Sequence, residues 1–197
     1  MKTTISFLIV ISLLTFSCSK DNDLNDIPEQ IFEVNATAST EWKYFSFEIN
    51  DTVDVADPAN SDDWDLAFQR YRIRTNGGKS GSGMGSAADS HEAGQEGFDA
   101  LKMVSDTLTY YPDDDIEVAI REGYATYTLN PSLYTWFGME MGTMGTQIVP
   151  TDKIYIVKTA TGKYAKVWIR SYYNAENESG YVTFQYKYQP DGSKNLE

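Results

Sequence analysis

Residues 153–159 read KIYIVKT, residues 160–162 read ATG, residues 163–173 read KYAKVWIRSYY, residues 174–180 read NAENESG and residues 181–188 read YVTFQYKY. β-Branched and aromatic side chains fall on alternate positions in each of the three long segments. That is the period of a strand, and residue types of this kind pack well on a pleated surface. Ala160-Thr161-Gly162 and the Asn- and Gly-bearing run at 174–180 are turn chemistry between them. The three segments therefore read as an antiparallel three-strand meander, and the fold is worked out from it.

Upstream, the same period dominates. Residues 41–50 (EWKYFSFEIN) alternate, with Phe45, Phe47 and Ile49 expected on one face. Residues 51–63 form a polar connector containing Pro58. Residues 64–74 (WDLAFQRYRIR) read as one strand, with Trp64, Leu66 and Phe68 on one side and Ala67, Tyr71 and Ile73 on the other. Residues 75–97 are rich in Gly and Ser without periodicity and read as a long surface loop. Residues 98–104 fit helix or strand, residues 108–111 a strand end closed by Pro112, and residues 124–129 a strand stopped at Asn130-Pro131. No amphipathic helix of about ten residues or more and no internal repeat is visible. The fold class is all-β, an antiparallel two-sheet, sandwich-like arrangement ending in the meander. Its many Tyr and Trp rings suit such a core, because they fill space between sheets while a polar tip finds a partner.

The N-terminus is a targeting signal. Lys2 precedes an apolar run, residues 5–16 (ISFLIVISLLTF), of about a dozen residues, the length of a signal-peptide core. A membrane-spanning helix needs roughly 20. Cys18, the single cysteine, follows the small residue Ser17, so residues 1–17 are assigned to a lipoprotein signal peptide and Cys18 to lipidation. The competing assignment is an ordinary secretory signal with a chance cysteine. Ser19-Lys20-Asp21-Asn22-Asp23 is similar to the surface-export signal of Bacteroidetes lipoproteins, which implies the outer face of the outer membrane. Residues 18–38 are polar and acidic and read as the lipidated residue with a flexible tether, residues 39–190 as the β domain and residues 191–197 as a tail. About 180 residues remain after cleavage, enough for one domain with a sizeable core. The net charge of −13 speaks against nucleic acid or anionic lipid as a partner, so the membrane is met only through the anchor.

Nothing in the sequence points to an enzyme. The single histidine, His91, lies in the Gly/Ser/acidic stretch, and Cys18 is committed to the lipid, so a nucleophile–base pair has little to be built from. HExxH, CxxC and EF-hand spacings are absent, and GGKSGSGMG at 77–85 lacks the spacing of a phosphate loop. Carboxylates are plentiful, which leaves a two-carboxylate glycosidase open as a third reading. Asp113-Asp114-Asp115 reads as a solvated turn or a calcium ligand set. Residues 136–145 (WFGMEMGTMG) hold three methionines, Met139, Met141 and Met144, out of six in the chain. Thioether sulfur is a soft donor suited to haem iron or copper(I), and glycine lets a flat ring approach the backbone. Methionine also fills irregular core gaps. Spacing alone leaves both readings open.

Taken together, five blocks resemble the HmuY family, surface haem-binding lipoproteins of Bacteroidetes. They are Trp42-Lys43-Tyr44-Phe45-Ser46-Phe47, residues 63–71 (DWDLAFQRY), residues 74–81 (RTNGGKSG), residues 157–167 (VKTATGKYAKV) and residues 180–184 (GYVTF), in the family's order over about residues 40–188. The resemblance implies an all-β domain that clamps one haem, iron protoporphyrin IX, through axial histidines or methionines. The family's second ligand lies five residues after a Trp, which is Met141 counted from Trp136. At the place of the first ligand the chain is shorter, and Met103 is the nearest candidate, with Met144, Met139 and Met84 behind it. Tyr124, Tyr127, Tyr134, Trp136 and Phe137 are candidates to stack on the porphyrin, and Arg121 or Lys102 to meet its propionates. The implied partners are haem or haem-carrying host proteins and a TonB-dependent outer-membrane receptor. The alternative is a surface adhesin or glycan-binding lipoprotein on the same fold without haem.

Overall fold

The structure is a computed structural model that describes residues 27–120, 122–142 and 145–197. Cys18, the signal peptide, Arg121 and Met144 lie outside the described residues. The elements are β1 (Gln30–Asn35), β2 (Lys43–Ser46), β3 (Asp51–Val53), β4 (Leu66–Gln69), β5 (Arg72–Thr75), β6 (Ser86–Ala93), α1 (Gly94–Ala100), β7 (Asp114–Ile120), β8 (Gly123–Leu129), β9 (Phe137–Gly142), β10 (Gly145–Pro150), β11 (Lys153–Lys158), β12 (Tyr164–Tyr173) and β13 (Ser179–Gln189). They form a five-stranded sheet in the order β1-β13-β12-β11-β6, a four-stranded sheet in the order β3-β2-β4-β5, and two separate hairpins, β7-β8 and β9-β10. The fold is all-β and antiparallel, as the alternation predicts, and β11, β12 and β13 are the expected meander.

The main core lies between the two larger sheets. Val34, Tyr155, Val157, Val167, Val182 and Phe184 face Phe45, Leu66, Phe68 and Ile73 across it. Because side chains alternate, the neighbours Ile154, Ile156 and Trp168 point to the opposite face of the five-stranded sheet. There Phe98 of α1 packs on Ile154 and Trp168, while Val104 and Leu196 cover Ile156.

Several sequence expectations are corrected by turns that apolar periodicity does not reveal. The strand expected over 41–50 ends at Ser46, where the Asn50 N–H donates to the Ser46 carbonyl and Asn50 takes a left-handed φ of 56°. Ile49 is consequently exposed rather than in the core, and the supposed connector opens with β3. Residues 64–74 are two strands, not one. Arg70, at φ 54°, turns the chain and places Phe68 opposite Ile73, so these two share the core face that a single strand would have denied them.

The Gly/Ser-rich stretch at 75–97 is not a surface loop. Asn76 is fully buried and β6 closes one edge of the five-stranded sheet. The glycines there permit close approach: a Cβ on Gly83 would stand 2.7 Å from the Asn76 carbonyl oxygen and 2.9 Å from the Ala160 Cα. Asn76 Nδ2 donates to the Ser61 and Trp64 carbonyls at 2.7 and 2.9 Å, pinning the segment from within.

The tether expected through residue 38 is structured from β1 onward, since Gln30–Asn35 pairs along its whole length with β13 and Val34 enters the core. The tail at 191–197 is also held. The Ile27 N–H donates to the Glu197 carbonyl at 2.7 Å and the Val104 N–H to Lys194 at 2.8 Å. The acidic triplet divides. Asp113 is buried and accepts from Thr75 N, Thr75 Oγ1 and Asn130 Nδ2, whereas Asp114 and Asp115 begin β7 and pair with Lys79. Among the described residues no helix is long and apolar enough to cross a membrane.

Candidate functional site

The methionine segment is a hairpin arm rather than a loop. In β9 the side chains of Phe137, Met139 and Met141 share one face, and the register places Met139 opposite Ile148 and Met141 opposite Thr146. The root of this arm is fixed. The Phe137 ring centroid lies 5.0 Å from that of Tyr71, 5.3 Å from Trp136 and 5.5 Å from Tyr134. The Ile148 N–H donates to the Tyr173 hydroxyl at 3.0 Å. Toward the tip these contacts end, and Met139 and Met141 are 55% and 83% exposed. Two thioethers thus stand on one side of an arm whose root is aromatic.

The second arm, β7-β8, has an apolar face of Ile116, Val118, Ile120, Ala125 and Tyr127, set by its register. It is tied to the four-stranded sheet by Arg74, whose Nε donates to the Thr128 carbonyl at 2.8 Å and whose guanidinium lies 3.9 Å from the Trp42 ring centroid.

Arg72 sits between the roots of the two arms. Its guanidinium is 4.2 Å from the Tyr127 centroid on β8 and 5.6 Å from Tyr71, which itself packs on Phe137 of β9. One nitrogen, Nη1, donates to Gln69 Oε1 at 2.9 Å, but the buried Nε has no partner. A buried donor without an acceptor costs about 1–3 kcal/mol. The sequence reading found β8, as a strand over residues 124–129, but Arg72 and β7 escaped it. The available signal was the alternation Arg72-x-Arg74, which puts both guanidinium groups on one face of β5.

The structure separates the other candidates. Met103 is exposed, bridges Asn195, and follows α1 on the far face of the five-stranded sheet from Trp136 and Phe137. It is not brought together with Met141. Met84 is exposed, and its Cε lies close to Gly162. Trp136 belongs to the core: it is 1% exposed and its Nε1 donates to the Tyr71 carbonyl at 2.9 Å. Tyr134 is half-buried, and burial raises its hydroxyl pKa. Tyr124 points away from the apolar face of its arm and is exposed. Lys102 pairs with the Glu197 carboxylate at 3.1 Å, on the Met103 side. His91 is exposed near Asp89. Among the described residues no group of three or more His, Cys, Asp or Glu side chains is placed to hold a metal ion.

The HmuY protein family matches residues 38–186, which takes in both arms and both sheets apart from β1 and the end of β13. The chain belongs to the HmuY family. Solved structures of similar fold include the apo HmuY analog of Tannerella forsythia, 22% identical, covering 86% of this chain and 100% of that one with a TM-score of 0.62. A candidate HmuY-like haem-binding protein of Bacteroides vulgatus is 24% identical, with 81% and 91% covered and a TM-score of 0.59. Apo PinO of Porphyromonas gingivitis is 17% identical, with 82% and 97% covered and a TM-score of 0.59. No curated protein matches the chain.

Proposed function

We propose that this HmuY-family protein captures one haem at the β9-β10 arm, with the Met141 thioether as an axial ligand to the iron. The carrying observation is the position of Met141: a soft donor, exposed, on the same strand face as Phe137 and above an aromatic root. Three features fit the group. A thioether suits haem iron, Tyr71, Tyr134 and Phe137 offer rings to a flat apolar macrocycle, and the Arg72 guanidinium, held between Tyr71 and Tyr127, offers a cation to a propionate. Arg72 takes the place of Lys102 as the propionate partner, and Arg121 lies outside the described residues. Met103 follows α1 on the far face of the sheet and is not the second ligand of this reading, and Met139, on the same strand face as Met141, does not reach the opposite side of the ring. When bound, haem supplies the iron that is to be carried, and no chemical step on it is required of the protein.

Ligation by thioether favours ferrous over ferric haem, since the softer ion pairs with the softer donor. The haem is taken from haem-carrying host proteins and passed to a TonB-dependent receptor, with Cys18 as the lipid anchor at the outer-membrane surface. The resemblance of the export signal and the family membership support this placement.

Titrating haemin into the protein under reducing conditions tests the reading. A saturable, sharpened Soret band is expected, lost in Met141→Ala and kept in Met103→Ala. A spectrum identical to free haem in both oxidation states overturns it. Incorporation of labelled fatty acid in cells, abolished by Cys18→Ala, tests the anchor.

A further inference from the structure

At the end of the sandwich opposite the arms, a cleft of about 610 Å³ opens between the β2–β3 turn, the start of β12 and the ends of β1 and β13. That volume lies within the roughly 300–1,000 Å³ typical of small-molecule sites. β13 runs from Ser179, beside the Arg70 turn, to Gln189 at the cleft. Ten residue steps at about 3.3 Å place the cleft on the order of 30 Å from the haem end.

The lining combines rings with planar polar groups. Tyr188 is half-buried and stacks on the buried Phe47, with centroids 5.8 Å apart and planes 17° from parallel. Around this pair stand the amides of Gln30, Asn50 and Gln189 and the carboxylates of Glu48 and Asp191. The polar groups are held in place. Asn50 Oδ1 accepts from the Tyr186 hydroxyl, Gln189 Nε2 donates to the Asn195 carbonyl at 2.8 Å, and Lys163 Nζ donates to Glu48 Oε2 at 3.1 Å. The Gln30 amide nitrogen and the second oxygens of Glu48 and Asp191 keep capacity for a ligand.

We infer that this cleft is a saccharide-binding site. A sugar ring has an apolar C–H face and an edge of hydroxyls that both donate and accept, which is the complement of a ring flanked by amides and carboxylates. An acyl chain would require a continuous apolar tunnel, and an anion a net positive lining. Here one lysine faces two carboxylates. The inference is independent of the haem reading, because no residue is shared between the two sites.

The test is a two-dimensional amide NMR titration of the intact domain with galactose, glucose, N-acetylglucosamine and maltose. At least one sugar should give saturable shifts confined to residues around Gln30, Asn50 and Tyr188. Ser193→Trp, at an exposed cleft wall, should abolish them, and Gln30→Ala should weaken binding by about fivefold to tenfold, the loss of one hydrogen bond. Met141→Ala should leave them unchanged. Absence of shifts with all four sugars, or shifts that persist in Ser193→Trp, overturns the proposal. Thermal unfolding of both variants checks that each is folded.

Discussion

Asp65 shows how one side chain fixes two sheets. Its two oxygens accept from the Phe47 N–H at 2.9 Å and the Ala160 N–H at 3.1 Å, joining the end of β2 to the β11–β12 turn. Burial raises its pKa, against the pull of those two N–H groups. Asp65→Ala leaves both donors unsatisfied in a dry place, and a loss of about 2–5 kcal/mol is expected in urea unfolding. Asp65→Asn, which retains one acceptor oxygen, should lose less. Lys166 is buried, and its ammonium donates to the Leu101 carbonyl at 2.8 Å and the Phe98 carbonyl at 2.6 Å, where α1 ends. Burial, reinforced by Lys187, pushes its pKa down to about 8 from the usual 10.5. In this window the unfolded chain binds the proton more tightly than the folded one, so folding stability rises with pH. Unfolding midpoints should therefore increase from about pH 8 toward 9.5, and Lys166→Met should flatten that slope. Tyr155 and Tyr186, pushed up to about 12 by burial, stay neutral over this range. At Arg72 the proposed propionate contact gives a different expectation. Arg72→Gln should weaken haem binding by about tenfold or more, the worth of a charge-assisted hydrogen bond, while changing the unfolding midpoint little.

Among the elements, the β9-β10 arm, where haem capture is proposed, has little bearing on stability. Its attachment to the core is made by Phe137 and Ile148 at the root, and Met139, Glu140, Met141 and residues 145–147 are exposed. Replacing residues 140–147 with a two-residue Asn-Gly turn should leave the melting temperature within a few degrees of the full protein and abolish the haem spectrum. The Gly-rich segment before β6 behaves in the opposite way. It looks dispensable in sequence, yet Gly83 sits against the Asn76 carbonyl and Ala160 backbone, which cannot move aside. Gly83→Ala should cost about 1–3 kcal/mol by overpacking, read as a lower denaturation midpoint with no direct effect on either binding site.

Across the whole molecule, the two-sheet sandwich keeps its ends apart. One end bears the arms and Arg72, and the other bears the aromatic cleft, the first described residue, Ile27, and the C-terminus. A rigid body between two distant sites predicts additivity. The double variant Met141→Ala with Gln30→Ala should show the sum of the single effects on unfolding within about 0.5 kcal/mol.

Residue order alone specifies the all-β class, the three-strand meander, the concentration of soft donors after Trp136 and the acidic surface. Those properties are carried by residue type and local period, and a period of two survives in any context where one face is buried. The folded molecule supplies the rest. It showed that residues 64–74 turn at Arg70, that the Gly-rich stretch is packed against Asn76, and that Trp136 is core. It also set Met103 and Met141 on different sides of one sheet and brought Arg72 between two arms. Such relations depend on which strands pair and on which face each turn delivers. That choice is made by long-range packing, and no local pattern encodes it.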